Sequence, residues 1–157
     1  QHDDTSNKQI LFQNFVVLSS AMVRREVMQK VGCFDHDLFG TEDWDLFIRI
    51  GKSYKFYFLN QELTYYRSHQ RGISKNVKRQ ISEDWKVLRK HLINSDLPKK
   101  FRRHGITLHY LRAASMYYYQ RKFLFAFWFA CLGILKGPSH FRTLCRKLVL
   151  KFTLRLG

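Results

Sequence analysis

No Asp or Glu follows Asp96, whereas Lys and Arg continue to the end of the chain. This uneven distribution of charge along the chain limits how its two parts can fold. Residues 1–76 carry 10 Lys and Arg against 9 Asp and Glu, whereas residues 77–157 carry 18 against 3. The first region can pair its charges internally, but the second must present most of its cations to solvent or to an anionic partner. We therefore expect two domains with separate roles, one over 1–76 and one over 77–157.

The composition sets further bounds on the class of protein. With 157 residues, 45% hydrophobic and 25% charged, the chain is globular rather than disordered or collagen-like. Three scattered cysteines are too few for a disulfide framework or a zinc site, and reduced thiols fit a cytosolic setting. The net charge of +16 predicts an anionic partner, which could be nucleic acid, lipid headgroups or a phosphorylated substrate. Because the chain begins with Gln1 and has no signal segment, we expect it to be part of a longer protein.

The sequence pattern of the first region predicts both strands and short helices. The apolar run over 14–23 predicts a buried strand, and the aromatic runs over 54–59 and 63–66 predict two more. A short helix over 24–31 should end at Gly32, and Thr41 can cap a second helix that runs to about Ile50.

The second region reads as helices. The pattern predicts one helix over 81–93 and an antiparallel pair over 105–120 and 123–136. The apolar run over 123–135 is shorter than the roughly 20 residues that span a bilayer, so we expect it to be buried against its neighbours. Residues 141–156 form a basic amphipathic pattern, which suits either adsorption to anionic lipid or packing on the first domain.

Two adjacent acids, Glu42 and Asp43, fall in the first turn of the predicted second helix. The helix dipole and the free backbone N–H groups favour the ionised form of a carboxylate there. Such a carboxylate can accept a proton from a substrate hydroxyl, although acids also occur in first turns only because they stabilise the helix. The surrounding residues decide between these two interpretations.

The ordered combination of motifs over about 14–76 resembles the acceptor-side half of family 2 glycosyltransferases. The matching residues are Ser19-Ser20, Arg24-Arg25-Glu26, Val31-Gly32-Cys33-Phe34-Asp35, Glu42-Asp43-Trp44-Asp45-Leu46, Arg49, Leu63, Tyr65-Tyr66-Arg67-Ser68-His69 and Ser74. The resemblance implies an α/β fold, namely a partial GT-A fold with an incomplete sheet, followed by an all-helical basic C-terminal region.

The resemblance also implies roles for single residues. Asp43 would be the catalytic base of an inverting enzyme, with Glu42 as the second candidate or as a group that orients the acceptor. Trp44 would stack on a sugar, unless its helical spacing places it in the core.

Three residues of the following loop complete the implied site. His69 would help to hold a divalent metal, Mn²⁺ or Mg²⁺, and Arg67 and Arg71 would contact the diphosphate. For Arg67 and Arg71, the alternative is that they are solvated loop charges.

The sequence departs from the family in its donor side. The family's Asp-x-Asp follows a buried strand. Neither Asp35-His36-Asp37 nor Asp43-Trp44-Asp45 follows a predicted buried strand, and both match other positions of the family. We therefore expect this chain alone to lack most of the nucleotide site and to be inactive.

The expected enzyme moves a sugar from a nucleotide-sugar donor to a glycan or lipid-linked acceptor. We expect it to act in surface polysaccharide synthesis, on the cytoplasmic face of a membrane. The alternatives are an inactive remnant or a basic module that binds membrane or nucleic acid. Nucleic acid is disfavoured because no recognised motif for it appears.

Overall fold

The computed structural model describes residues 4–65 and 76–137, and every regular element within them is helical. The α-helices are α1 (Asp4–Gln9), α2 (Arg25–Val31), α3 (Glu42–Gly51), α4 (Val77–Leu88), α5 (Lys99–Tyr119) and α6 (Phe123–Lys136). A 3₁₀ turn covers Leu18–Ser20, and one π-helical turn covers Arg89–Ile93. The chain forms two compact units, an N-terminal unit over 1–95 and a C-terminal unit over 96–157.

Helix α3 lies in the core of the N-terminal unit. Its buried apolar side chains are Trp44, Leu46, Phe47, Ile48 and Ile50. The indole Nε1 of Trp44 donates a 2.6 Å hydrogen bond to the carbonyl of Ile10, so the one polar atom of this ring is satisfied inside the unit. The prediction of a helix from Thr41 to about Ile50 is confirmed, although the Thr41 side chain makes no capping hydrogen bond.

Hydrogen bonds from Arg49 on α3 hold the end of α2 against α3. The Arg49 guanidinium donates to the carbonyls of Val31, Gly32 and Cys33, at the end of the helix, where carbonyls lack partners within the helix, and just beyond it. Gly32 ends α2 with a φ of +83°, a value that side chains other than glycine rarely tolerate. The predicted stop at Gly32 is therefore confirmed.

Helix α4 and the π-helical turn form one continuous helical segment, which begins four residues before the predicted position 81. Asn76 caps it, since its side-chain oxygen accepts from the Arg79 amide at 3.1 Å. Val87, Leu88 and Leu92 are fully buried. Within the π-turn, His91 and Leu92 are the buried side chains.

The predicted α/β fold with an incomplete sheet is wrong for the described residues, which contain no strand. The run over 14–23 is extended around its 3₁₀ turn, but its apolar side chains are largely exposed: Phe15, Val17, Leu18 and Met22. The run over 54–59 is likewise not a strand. Apolar and aromatic runs favour extended backbone, but a strand also requires a second strand that shares its backbone hydrogen bonds, and the described residues contain no such pair.

The C-terminal unit contains the predicted antiparallel helical pair, with α5 beginning six residues earlier than expected. Tyr117 near the end of α5 stacks on Phe125 and Phe129 of α6, with ring centroids 5.3 and 5.4 Å apart. Arg121 in the connecting turn has a φ of +59°. No helix among the described residues is both long and apolar enough to cross a bilayer.

The expectation that residues 123–135 are buried is wrong for most of their large side chains. Only Ala126 and Gly133 of α6 are buried, whereas Leu124, Phe127, Trp128 and Leu135 are between 64% and 88% exposed. The side that faces α5 is closely packed, since a Cβ at Gly133 would lie 3.1 Å from the Leu111 side chain. The small residues therefore face α5 and the large ones point away from it.

The two compact units divide after Ser95, which differs from the change in charge at residue 76. Helix α4 and the π-turn thus lie in the N-terminal unit. The division into functional domains over 1–76 and 77–157 stays a prediction.

Candidate active site

Asp43 lies in the first turn of α3 with its carboxylate half-buried. One oxygen, Oδ2, accepts a 3.1 Å hydrogen bond from Nδ2 of Asn14, and Oδ1 accepts from the backbone amide of Trp44 at 2.6 Å. The Asn14 side chain is itself held in place, because its Oδ1 accepts from the Val16 amide. The carboxylate is therefore oriented by two donors from different parts of the unit.

Burial makes Asp43 a stronger base than an ordinary aspartate. Desolvation raises its pKa above 3.8, against the opposing effect of the hydrogen bonds from Trp44 and Asn14, and the neighbouring charge of Glu42 raises it further. A carboxylate with a raised pKa binds a proton more tightly, which is the property that a general base requires.

Two buried oxygens beside Asp43 have no hydrogen-bond partner among the described residues. They are Oγ1 of Thr41 and Oε2 of Glu42. A buried polar atom without a partner is costly, and water or a hydroxyl-bearing ligand is its usual means of satisfaction. The start of α3 thus holds two buried oxygens that the described protein atoms leave unsatisfied.

Asp45, two residues further along α3, is the centre of a cluster of charges. Its carboxylate is fully buried and contacts three basic groups: Nε2 of His91 at 2.7 Å, Nζ of Lys90 at 2.8 Å and Nε of Arg49 at 2.9 Å. Lys90 also lies 2.7 Å from Oδ2 of Asp35. This cluster joins α3, the π-turn and the loop after α2 within one unit.

The pKa shifts in the cluster favour the charged forms. Burial by itself would raise the pKa of Asp45, but the hydrogen bonds from His91, Lys90 and Arg49 outweigh it and lower the pKa well below the usual range. For Lys90, burial alone would lower the pKa, but the hydrogen bonds with Asp35 and Asp45 raise it. Asp45 is thus a poor base and Asp43 a better one, although both lie on the same helix.

The other predicted site residues are placed as follows. Trp44 is only 2% exposed and packs in the core, which leaves little of its ring for a sugar. Glu42 is half-buried next to Asp43. Arg67, His69 and Arg71 lie outside the described residues.

The predicted divalent metal has no set of ligands in the described part of the chain. No group of three or more His, Cys, Asp or Glu side chains is close enough there to hold an ion. In the cluster around Asp45, the carboxylate is already engaged by Lys90 and Arg49 and contacts Nε2 of His91. The metal and the role of His69 therefore stay predictions.

The sequence of the chain matches a known family over most of its length. The model of Glycosyltransferase like family 2 covers residues 3–122, which include Asp43, Asp45 and His91. The chain belongs to this family. The resemblance seen in the sequence is therefore confirmed, and glycosyl transfer is the general activity that the family indicates. No curated protein and no solved structure matches the chain.

The sequence did not reveal every residue of this candidate site. The spacing of Asp45 and Arg49 is that of an i,i+4 pair on a helix and could have signalled their contact. His91, Lys90 and Asn14 gave no comparable signal, because they meet α3 only through the tertiary fold.

Proposed function

We propose that this family-2 chain supplies the acceptor side of an inverting glycosyltransferase, with Asp43 as the catalytic base. The enzyme would move a sugar from a nucleotide-sugar donor to a hydroxyl of a glycan or lipid-linked acceptor, in the synthesis of a surface polysaccharide. The observation that carries the proposal is the half-buried carboxylate of Asp43, oriented by Asn14 and the Trp44 amide and raised in pKa by desolvation.

In the proposed reaction, Asp43 takes the proton of the acceptor hydroxyl as that oxygen bonds to the anomeric carbon of the donor sugar. The bond from this carbon to the diphosphate breaks on the opposite face, and its electron pair leaves with the nucleoside diphosphate. Attack and departure on opposite faces invert the anomeric configuration. Because the transition state carries positive charge on the sugar, alignment of the base matters as much as its basicity.

Glu42 is proposed to orient the acceptor. It directly precedes Asp43 in the first turn of α3 and is half-buried, and a carboxylate oxygen accepts hydrogen bonds from sugar hydroxyls. A divalent metal would serve as Lewis acid for the departing diphosphate, but the described residues do not supply its ligands.

We further propose that the 157-residue chain does not transfer sugar by itself, because no Asp-x-Asp follows a buried strand in its sequence. The chain is expected to be inactive with any nucleotide sugar and to gain turnover only as part of a longer polypeptide. Sugar transfer by the isolated chain would contradict this point without affecting the role of Asp43.

The test of the base is a transfer assay on the polypeptide of the complete open reading frame. Asp43→Asn should reduce turnover by about a hundredfold or more, since general bases contribute on this scale, while nucleotide binding survives. Asp37→Asn is the matched control, because Asp37 is an exposed acid of the same unit. Near-normal turnover in Asp43→Asn would remove Asp43 from the proposed role.

A further inference from the structure

The outer face of α6 carries large apolar side chains where a soluble helix usually carries polar ones. Phe127, Trp128 and Leu135 lie 3, 4 and 11 residues after Leu124, so the four share one side of the helix. All four are mostly exposed, and we call them the α6 stripe. An exposed apolar patch of this kind marks an interaction surface.

The inner face of α6 excludes these residues from the core of the unit. Ala126 and Gly133, seven residues apart, are its buried positions, and a Cβ at Gly133 would lie within a tight 3.1 Å of the Leu111 side chain of α5. Small residues therefore allow the close approach of the two helices. Large side chains in their place would push the helices apart.

The charges around the stripe point to an anionic partner. Arg121 and Lys122 precede α6 and Lys136 ends it, and all three are exposed. Not one Asp or Glu follows Asp96 in the sequence, so no acid of this unit beyond that residue can neutralise them. Two copies meeting through their stripes would bring like charges together, which disfavours self-association.

We propose that the α6 stripe docks on the interface of a bilayer that contains anionic phospholipid. The helix would lie in the plane of the interface, with the stripe among the acyl chains and the flanking cations at the headgroups. Trp128 suits this depth because an indole ring has an apolar body and one polar N–H. The 14-residue length of α6 fits a helix lying on the membrane rather than crossing it.

This docking does not depend on glycosyl transfer. The family match ends at Lys122, directly before α6, and the stripe and its flanking cations all belong to the C-terminal unit. Loss of the proposed role of Asp43 would leave the membrane proposal standing, and the reverse also holds.

The test is flotation of the full chain with vesicles of phosphatidylcholine, with and without phosphatidylglycerol. The wild type should float with the anionic vesicles and be released by salt. Leu124→Ser with Phe127→Ser should lower the affinity at least about tenfold, because two apolar side chains no longer enter the bilayer. The matched control, Phe58→Ser with Leu59→Ser, removes two exposed apolar side chains from the N-terminal unit and should bind like the wild type.

The charge is tested by Arg121→Gln with Lys122→Gln, against Arg24→Gln with Lys30→Gln in the N-terminal unit. The first pair should weaken binding to anionic vesicles about tenfold or more, and the second should have little effect. Circular dichroism of each variant confirms that its helices are retained.

The fluorescence of Trp128 gives a second readout that needs no loss of binding. Its emission should move to the blue when anionic vesicles are added, and this change should be absent in Trp128→Phe, since the other two tryptophans, buried Trp44 and half-buried Trp85, belong to the N-terminal unit. Four results would overturn the proposal: no binding by the wild type, equal binding by the stripe variant, dimers that the stripe variant abolishes, or blue emission of Trp128 before vesicles are added. The last would mean that another part of the chain covers the stripe, and capture of an acidic protein without vesicle binding would point to a protein partner instead.

Discussion

Nε2 of His91 lies 2.7 Å from Oδ1 of Asp45 in the interior of the N-terminal unit, although 46 residues separate them in the chain. This contact places the π-helical turn against α3, two residues after the proposed base. The same carboxylate also contacts Lys90 and Arg49. The cluster around Asp45 is thus a structural support for the first turn of α3.

Replacing Asp45 with Asn should destabilise the N-terminal unit by about 3 kcal/mol, because a buried charge cluster that loses one partner leaves the others uncompensated. Urea unfolding followed by tryptophan fluorescence measures this change, since Trp44 lies next to Asp45 on α3. Asp37→Asn should change the free energy of unfolding by less than about 0.5 kcal/mol, as is usual for exposed positions. Equal stability of the two variants would contradict the supporting role of the cluster.

The contribution of Asp45 should also depend on pH. Its pKa is lowered in the folded state, so the folded state favours the ionised form and binds fewer protons than the unfolded state. The stabilisation is present above the unfolded value of about 3.8 and is lost as the pH falls below it. The difference in unfolding free energy between the wild type and Asp45→Asn should therefore shrink under acid conditions. A difference that stays constant with pH would show that the charge does not stabilise the fold.

Arg49→Lys should loosen the end of α2. Lysine keeps the positive charge beside Asp45, but its single nitrogen has three N–H groups and cannot reach Asp45 and three backbone carbonyls at once, as the three nitrogens of the guanidinium do. We expect a cost of about 1–2 kcal/mol and faster amide exchange in the last turn of α2. Exchange rates that match those of the wild type would show that Arg49 does not fasten this helix end.

His109 should make the C-terminal unit sensitive to mild acid. Burial, helped by the nearby charge of Arg112, lowers its pKa from 6.5 to about 4. A histidine with a lowered pKa is neutral in the fold, whereas the unfolded chain takes up a proton near pH 6.5, so stability falls as the pH drops from 6.5 to about 4.

The slope should reach at most about 1.4 kcal/mol per pH unit, and His109→Leu should remove it. Amide exchange within α5, followed over this pH range, measures the effect in this unit alone. The same slope in the variant would assign it to other groups.

Local pattern was sufficient to predict the helices but not the absence of strands. Trp44, Phe47 and Ile48 repeat with helical period, and Gly32 supplies a positive φ, so α2 and α3 follow from their own residues. The run over 14–23 is as apolar as a buried strand, but a strand depends on a partner elsewhere in the chain. The hydrophobicity of α6 also failed to predict which of its side chains are buried. There the small residue Gly133 packs closely against Leu111, and the large apolar side chains are exposed.

The residues of the candidate site were also only partly predictable from the sequence. Glu42 and Asp43 could be found from the sequence because they are adjacent and begin a helix. Asn14, which orients the base, and His91, which contacts Asp45, meet α3 across 29 and 46 residues, and only the fold brings them there.

The most direct measurement is sugar transfer by the double variant Asn14→Asp/Asp43→Asn, in the polypeptide of the complete open reading frame. The exchange keeps the net charge and the hydrogen bond between the two side chains, with donor and acceptor reversed. It also keeps an oxygen for the Val16 amide and one for the Trp44 amide. What changes is the position of the carboxylate.

The account predicts wild-type stability within about 0.5 kcal/mol, retained nucleotide binding, and turnover reduced about a hundredfold or more. Turnover close to that of the wild type in this folded variant would contradict the claim that the carboxylate at position 43 is the base.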